Sequence, residues 1–248
     1  MATFKERIHQ RFSHASPVYD QFSELQLTSA TELVKLLKES FPTFSPATAI
    51  DLGTGTGHVA VDIHKVYPSS HLTINDLSSH MMREALKKLP SQTTALSGDF
   101  ETLDLKEYNL IISNFAFQWA RDLGPLIERL QPKCDVLAFS CLLAGTFQEW
   151  SKLLENEGIP PTTLTYPHKE HVLQILTNLE NSKFETRYFD FKLEFPDVLS
   201  FLYYLKKIGA SSSEELLGYR QMKHIILRFK DRFYVTYKVM LVVMGRGL

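Results

Sequence analysis

Asp51-Leu52-Gly53-Thr54-Gly55-Thr56-Gly57 is the stretch of this 248-residue chain whose residue types and spacing point most directly to chemistry. An apolar pair, Ala49-Ile50, runs into an acid and then through three alternate glycines. Glycine reaches backbone angles closed to other residues and lets a ligand lie against the main chain. A strand, a Gly-rich turn and a helix N-terminus make a nucleotide-type site at the carboxyl edge of an open α/β sheet. The spacing then separates two kinds of ligand. A dinucleotide site has G-x-G-x-x-G, whose third glycine packs the helix against the strand. Here the pattern is G-x-G-x-G, and Asp51 lies two residues before the first glycine. A carboxylate at the strand tip repels a diphosphate and suits a cationic amine, such as the methionine end of S-adenosylmethionine. Asp51, Gly53, Gly55 and Gly57 are therefore expected to hold that methyl donor. The bland alternative is an ordinary Gly-rich turn.

Further polar residues fall at successive strand ends. Asp76, 19 residues after Gly57, can accept both ribose hydroxyls, a device that NAD sites share. Asp99 can accept from an adenine amino group while the Phe100 amide serves a ring nitrogen; a turn aspartate is the plain alternative. Leu77 and Met81 suit the adenine faces, and suit a core equally well. Asn114 ends a strand where its backbone would face the sulfonium, and Phe115-Ala116-Phe117-Gln118-Trp119 follows it. Trp119 alone fits core better than contact. Each acid is ambiguous singly; their order along one sheet edge is much less so.

The elements that must position these residues alternate. Residues 4–41 are amphipathic and helical in pattern, with Leu25, Leu27, Ala30, Leu33, Val34 and Leu37 at helical spacing. Pro17 breaks the part before them into a mobile arm ahead of a helix. Strands are expected at 47–52, 72–76, 94–97, 108–114 and 136–142, with helices at 57–66, 79–89 and 123–130 between them. Ser78 and Asp122 are candidate N-caps. This rhythm predicts an α/β fold with a doubly wound, mainly parallel sheet. After Gly145 it changes. Helices are expected at 146–156 and 168–179, a strand at 184–195, helices near 197–208 and 213–231, and a last strand at 235–244. The two late helices are placed over the ligand edge as a cap, and Ser211-Ser212-Ser213 is a helix-start loop.

Composition narrows the class. The chain carries 27 Lys and Arg against 28 Asp and Glu, so overall charge gives no reason to expect a nucleic-acid partner. The first residues lack the apolar run of a signal peptide. The run from 136 to 145 is too short for a bilayer, so no membrane partner and a cytoplasmic location are expected. Cys134 and Cys141 fall in one strand, about 23 Å apart at strand rise, beyond disulfide reach. They are expected to be reduced core thiols, and no metal site is expected.

With these residues in view, the chain resembles the class I S-adenosylmethionine-dependent methyltransferases. More narrowly it resembles the malonyl-[acyl-carrier-protein] O-methyltransferases of biotin synthesis. The resemblance covers nearly the full length. It rests on Phe12-x-x-Ala15-x-x-x-Tyr19-Asp20 with Gln26 downstream, the glycine motif, Gly98-Asp99-Phe100-Glu101-x-Leu103, Ser113-Asn114-Phe115-Ala116-Phe117-Gln118-Trp119, Leu205-Lys206-Lys207-Ile208-Gly209-Ala210, and Thr236-Tyr237-x-Val239. The S-N-x-A-x-Q-W and L-K-x-I-G-A pieces are the narrow ones. His14 stands where the family commonly has arginine, and Phe22 where a small residue is usual.

The resemblance implies a single Rossmann-like methyltransferase domain over 1–248, with a seven-stranded mainly parallel sheet and helices on both faces. It would comprise an N-terminal helical arm or lid (1–45), a donor-binding core (46–145) and a C-terminal half (146–248) carrying a helical cap at 196–231. It also implies methyl transfer to the free carboxylate of a malonyl thioester on an acyl carrier protein. A different small acceptor, such as a quinone precursor or another carboxylic acid, is the alternative. An NAD-dependent oxidoreductase is disfavoured by the glycine spacing and Asp51, and a non-catalytic descendant by the intact donor motif. Tyr19 is expected as a lid over the methyl group and Gln118 as a substrate-positioning residue. Lys206, Lys207, Arg220, Lys223, Arg228, Lys230 and Arg232 form a basic face suited to an acidic carrier; a merely solvated helix face is the alternative.

Overall fold

A computed structural model describes residues 3–160, 162–179, 182–210 and 217–246. In chain order these form α1 (Phe4–Ala15), α2 (Glu24–Ser40), β1 (Thr48–Leu52), α3 (His58–Val66), β2 (His71–Asp76) and α4 (Ser79–Leu86). Then come β3 (Thr94–Ser97), β4 (Tyr108–Ser113), α5 (Leu123–Leu130), β5 (Cys134–Leu142), α6 (Gln148–Asn156) and α7 (Lys169–Asn178). The chain continues through β6 (Ser182–Phe195), α8 (Val198–Lys207), α9 (Tyr219–Arg228) and β7 (Phe233–Arg246). The strands form one seven-stranded sheet in the order β3-β2-β1-β4-β5-β7-β6. Only β7 runs against its neighbours β5 and β6. Strand order reverses between β1 and β4, and such a switch point opens a crevice at the carboxyl ends of the strands.

Local chemistry sets the ends of several helices. Thr3 and Glu6 close a reciprocal capping box on α1, with Glu6 N donating to Thr3 Oγ1 at 3.2 Å and Thr3 N to Glu6 Oε2 at 2.7 Å. Ser78 accepts from Met81 N at 3.3 Å and Asp122 from Gly124 N at 3.1 Å, so both expected N-caps are formed. The central strands are buried on both faces, as the continuous Leu110-Ile111-Ile112 run requires. Ala60, Ile63, Leu33 and Leu37 of α2 and α3 pack one face with Ile112; Ile127, Leu130, Val172 and Leu176 of α5 and α7 pack the other with Ile111 and Phe139. Cys134 and Cys141 are both free and buried. Among the described residues no helix is long and apolar enough to cross a membrane.

The expected helical arm is α1, which the Thr3–Glu6 box starts, and a 3-10 turn at Tyr19–Gln21, just past Pro17, joins it to α2. Two expectations change. The helix expected at 146–156 begins at Gln148, since Gly145 and Phe147 take positive φ (+93° and +59°) and turn the chain. The helix expected at 213–231 is described only as α9; it ends at Arg228 because the chain must turn for Phe233 to pair with Phe195. Residues 211–216, with the expected Ser211-Ser212-Ser213 loop, lie outside the described residues.

Candidate donor site and the family it belongs to

Asp51 ends β1 at the switch point and is 1% exposed. Its Oδ2 accepts from Thr54 Oγ1 at 2.7 Å, while Oδ1 is buried with no hydrogen-bond partner. Burial pushes this carboxyl up to about 7; the Asp76 charge pushes the same way, and the Thr54 bond and a weaker backbone contact from Ala60 oppose both. A buried carboxylate oxygen without a donor is costly, so the arrangement favours a ligand that brings one, above all an ammonium.

The three glycines do different work. A Cβ on Gly53 (φ +68°) would lie 2.4 Å from Ala116 Cβ, so this glycine permits close approach of the next strand's loop. Gly55 (φ +55°) faces open space and lines the pocket, leaving room for a ligand against the backbone. Gly57 is not on the pocket wall. A Cβ there would meet Ala85 Cβ at 2.9 Å, so it lets α3 approach α4.

Asp76 lies across from this loop. Its Oδ2 accepts from Gly55 N at 2.9 Å and its Oδ1 from Ser78 N at 2.7 Å. Burial pushes its carboxyl up to about 6, and these two amides hold it from rising further. Each oxygen keeps a second lone pair for a ribose hydroxyl. Asp51, Gly53, Gly55, Asp76, Leu77, Asp99, Phe100 and Asn114 all line one cavity. Met81 does not: it is fully buried on the inner face of α4, so of the two places its apolar side chain suited, adenine face or core, it takes the core. The side chain of Asn114 is turned away as a staple. It accepts from Ser29 Oγ at 2.7 Å and Ser140 Oγ at 2.8 Å and donates to the Gln26 carbonyl at 2.9 Å.

Two residues that the sequence did not single out, Lys5 and Ile8 of α1, close the outer side together with Phe12 of the arm motif. Lys5 Nζ pairs with Asp99 at 3.2 Å and Glu101 at 2.5 Å and lies 5.2 Å from the Phe100 ring centroid. This contact spans 94 residues of sequence, and no local pattern announces it. Asp20 forms a second latch, accepting from Thr56 Oγ1 at 2.5 Å and pairing with Lys88, whose Nζ also donates to the Thr56 carbonyl at 2.9 Å. Burial opposes ionisation of Asp20, but the Lys88 and Thr56 hydrogen bonds prevail and hold its carboxyl below the ordinary range. The motif pair Tyr19-Asp20 was the available signal for it. With the arm in this position the cavity measures about 80 Å³. Ligand sites usually run from roughly 300 Å³ upward, and α1 and residues 19–21 are the elements that narrow this one from outside.

Asp20→Ala should loosen that latch. The pair is partly exposed, so the effect on arm closure is about 1 kcal/mol, and S-adenosylhomocysteine should dissociate roughly fivefold faster. Stopped-flow fluorescence of Trp119, which lines the cavity, reads this rate. An unchanged rate would show that the arm does not gate the site.

A second, larger cavity of about 460 Å³ adjoins the first and shares Phe12, Tyr19, Gln26, Phe115 and Trp119 with it. Tyr19 therefore stands in the partition, while Gln118 lines only the larger of the two. Gln118 Nε2 donates to the Phe115 carbonyl at 2.7 Å, and its Oε1 is buried without a partner. Phe115 itself has φ +52°, a strained backbone held by the hydrogen bond that its N–H donates to Ser140 Oγ at 2.8 Å. Loop 162–166, α8 and α9 join α1, β5, α6 and β7 in walling the larger cavity, which puts the late helices over the ligand edge.

Comparison with known proteins agrees with this geometry. A family profile described as "Methyltransferase domain" matches residues 49–132. The malonyl-[acyl-carrier protein] O-methyltransferase of Priestia megaterium is 32% identical over 231 residues, covering 85% of this chain and 83% of that one. This chain belongs to the malonyl-[acyl-carrier protein] O-methyltransferase family. The Neorickettsia risticii enzyme of the same name is 26% identical over 236 residues, covering 95% of this chain and 94% of that one. Among solved structures, magnesium protoporphyrin IX methyltransferase from Synechocystis PCC 6803 with bound SAM superposes at TM-score 0.57. It is 13% identical, covers 99% of this chain and 98% of that one, and shows the shared fold. The protein is thus a Rossmann-like SAM-dependent O-methyltransferase. The orphaned Asp51 oxygen and the open face of Gly55 fit its methyl donor.

Proposed function

We propose that this methyltransferase esterifies the free carboxylate of a malonyl thioester carried on an acyl carrier protein, an early step of biotin synthesis. The observation that carries this reading is the charge of the larger cavity. Its described lining includes Arg11, His14 and Lys206 and no carboxylate, beside a wall of aromatic and aliphatic side chains. An acid-free, cation-rimmed apolar cavity suits an anionic acyl group on a long arm. The printed names of the relatives support the same acceptor. Esterification would mask the charge so that elongation enzymes with apolar tunnels accept the chain.

When bound, the donor supplies a methyl carbon that exchanges its bond to sulfur for one to the acceptor oxygen, the bonding pair staying on sulfur and no proton moving. A carboxylate is already ionised at neutral pH, so the protein has no need of a general base. Its task is alignment, which can lower a barrier by roughly 7–11 kcal/mol. Asp51, Asp76, Asp99 and the glycine loop hold the donor, Tyr19 covers the partition, and Gln118 positions the acceptor. Tyr19→Phe and Gln118→Ala should lower turnover, by up to about a hundredfold for a displaced acceptor, with the fold intact. Wild-type rates from both would remove these roles. Comparing malonyl-carrier protein, malonyl-CoA and free carboxylic acids as acceptors tests the substrate. Preference for a free acid or a quinone precursor would replace this reading with the alternative acceptor.

The carrier would dock on α8 and α9. Lys206 lies at the cavity rim, and Arg220, Lys223 and Lys230 are exposed with no ion pair among the described residues. Arg228 and Arg232 are partly neutralised by Glu157 (3.1 Å) and Glu194 (3.0 Å), and Lys207 packs on Tyr203, 4.9 Å from its ring centroid. Exposed Tyr219 and Leu227 add an apolar component. The double variant Arg220→Glu/Lys223→Glu should lower kcat/KM for the carrier-bound substrate roughly tenfold at low salt and flatten its salt dependence, with kcat unchanged. An unchanged salt dependence would place docking elsewhere.

A further inference from the structure

Beside the larger cavity, the hydroxyls of Tyr204 and Tyr237 and the Gln26 side chain are buried within reach of one another, yet neither hydroxyl nor Gln26 Oε1 makes a well-formed hydrogen bond or has a partner outside the trio. These side chains are 8%, 2% and 5% exposed, in that order. Buried polar groups are nearly always paired, and each one left unpaired costs about 1–3 kcal/mol. Three such groups together are not needed to hold the fold. Tyr237 comes from β7, where Phe147 packs edge-on against its ring at 4.6 Å and Phe115 lies at 6.2 Å. Gln26 comes from α2 and lines both cavities; Tyr237 lines the larger one. Tyr204, from α8, stands beside them. Two phenols and an amide from three separate elements thus gather beside the larger cavity, and Gln26 reaches the partition with the donor pocket, where a reacting oxygen must sit.

The placement of charge is also informative. The cations of the cavity wall, Arg11 and Lys206, belong to α1 and α8, and Lys206 is solvent-exposed. A cation against the reacting carboxylate would withdraw electron density from it and repel the donor's sulfonium. Neutral hydroxyls orient the carboxylate without either penalty. They do stay neutral: burial pushes Tyr204 up to about 12 and Tyr237 well above its ordinary value, and the adjoining Tyr204, Tyr166 and Tyr19 raise Tyr237 further. The amide of Gln26 can present its nitrogen or its oxygen, since the two are exchanged by a flip.

We infer that the Tyr237 hydroxyl, with Tyr204 and the Gln26 amide beside it, is the seat of the acceptor carboxylate. The pattern of cations on the wall helices and neutral donors inside makes the cavity selective for acyl groups that end in a carboxylate. This rests on the acceptor class proposed above and adds the residues that read it.

The test is binding without turnover. Malonyl-pantetheine and acetyl-pantetheine, which differ only by the carboxylate, are titrated calorimetrically into protein saturated with S-adenosylhomocysteine. Wild type should favour the malonyl compound. Tyr237→Phe should lose about tenfold of that preference, which is about 1.4 kcal/mol, with acetyl-pantetheine and S-adenosylhomocysteine affinities unchanged. Its thermal stability should be equal or higher, because an unsatisfied hydroxyl is removed. Tyr204→Phe provides a second variant with a smaller loss in the same direction. A wild-type preference that both variants retain overturns the seat and leaves the acceptor class standing, the cluster then being a site for bound water. No preference in the wild type overturns the seat and the acceptor class together.

Discussion

Asp51→Asn should weaken S-adenosylhomocysteine binding by two to three orders of magnitude, while the fold persists. Asparagine keeps the shape and can still accept from Thr54 Oγ1, which is 2.7 Å away in the native protein. What it loses is the charge facing the ligand's ammonium. Removing one partner of a buried, hydrogen-bonded charge pair costs about 2–5 kcal/mol. Titration calorimetry measures the loss directly. The same residue sets a pH dependence. With its carboxyl pushed up to about 7, Asp51 is mostly protonated at pH 5.5 in the ligand-free protein. Affinity scales with the competent fraction, so it should fall on the order of tenfold between pH 7.5 and 5.5. Stability moves the other way. The folded pKa lies above the ordinary carboxylate value of about 3.9, so the folded state binds more protons between the two values. The contribution of this group to the ligand-free protein is therefore most favourable below about pH 4 and declines as pH rises through about 7. Asp51→Asn should remove that decline. A variant that binds as wild type does would place the ligand's amine elsewhere.

Gly53→Ala and Gly55→Ala should fail in different ways, although they are two residues apart in one motif. The new methyl at position 53 would lie 2.4 Å from Ala116 Cβ, on a backbone at φ +68°. Overpacking and left-handed strain together cost about 3 kcal/mol or more, so Tm should fall by roughly 6–12 °C. At position 55 the backbone is again left-handed, at φ +55°, but the methyl meets nothing within 4 Å. The strain alone is about 1–2 kcal/mol, and Tm should fall by only a few degrees. Donor affinity should nonetheless drop at least about tenfold, because that open space belongs to the pocket wall. Differential scanning fluorimetry and calorimetry on the two variants separate the packing glycine from the ligand-facing one. Equal Tm losses, or a Gly55→Ala variant that binds normally, would contradict the assignment.

Much of the fold was legible because it is written in local patterns. The alternation of strands and helices, the caps at Ser78 and Asp122, and the acid-and-glycine turn after β1 each depend on neighbours within a few residues. What was not legible depends on distant partners. The apolar character of Met81 suited an adenine face and a core alike, and only the folded chain shows that the core lies opposite. Asn114 was read for its backbone; its side chain serves Ser29, Ser140 and Gln26. Lys5 meets Asp99 only because α1 folds back across the sheet edge. Tyr237 and Gln26 come from β7 and α2, so only the folded chain brings their orphaned atoms together.

Intact-mass spectrometry of malonyl-acyl carrier protein, incubated with this protein and S-adenosylmethionine, tests the central claim most directly. The account predicts a gain of one methyl group on the acyl chain, removed by mild alkaline hydrolysis as an ester is, and no gain with acetyl-acyl carrier protein. An unmodified malonyl carrier alongside efficient methylation of a non-carrier acid, or a methyl group that resists ester hydrolysis, would contradict it.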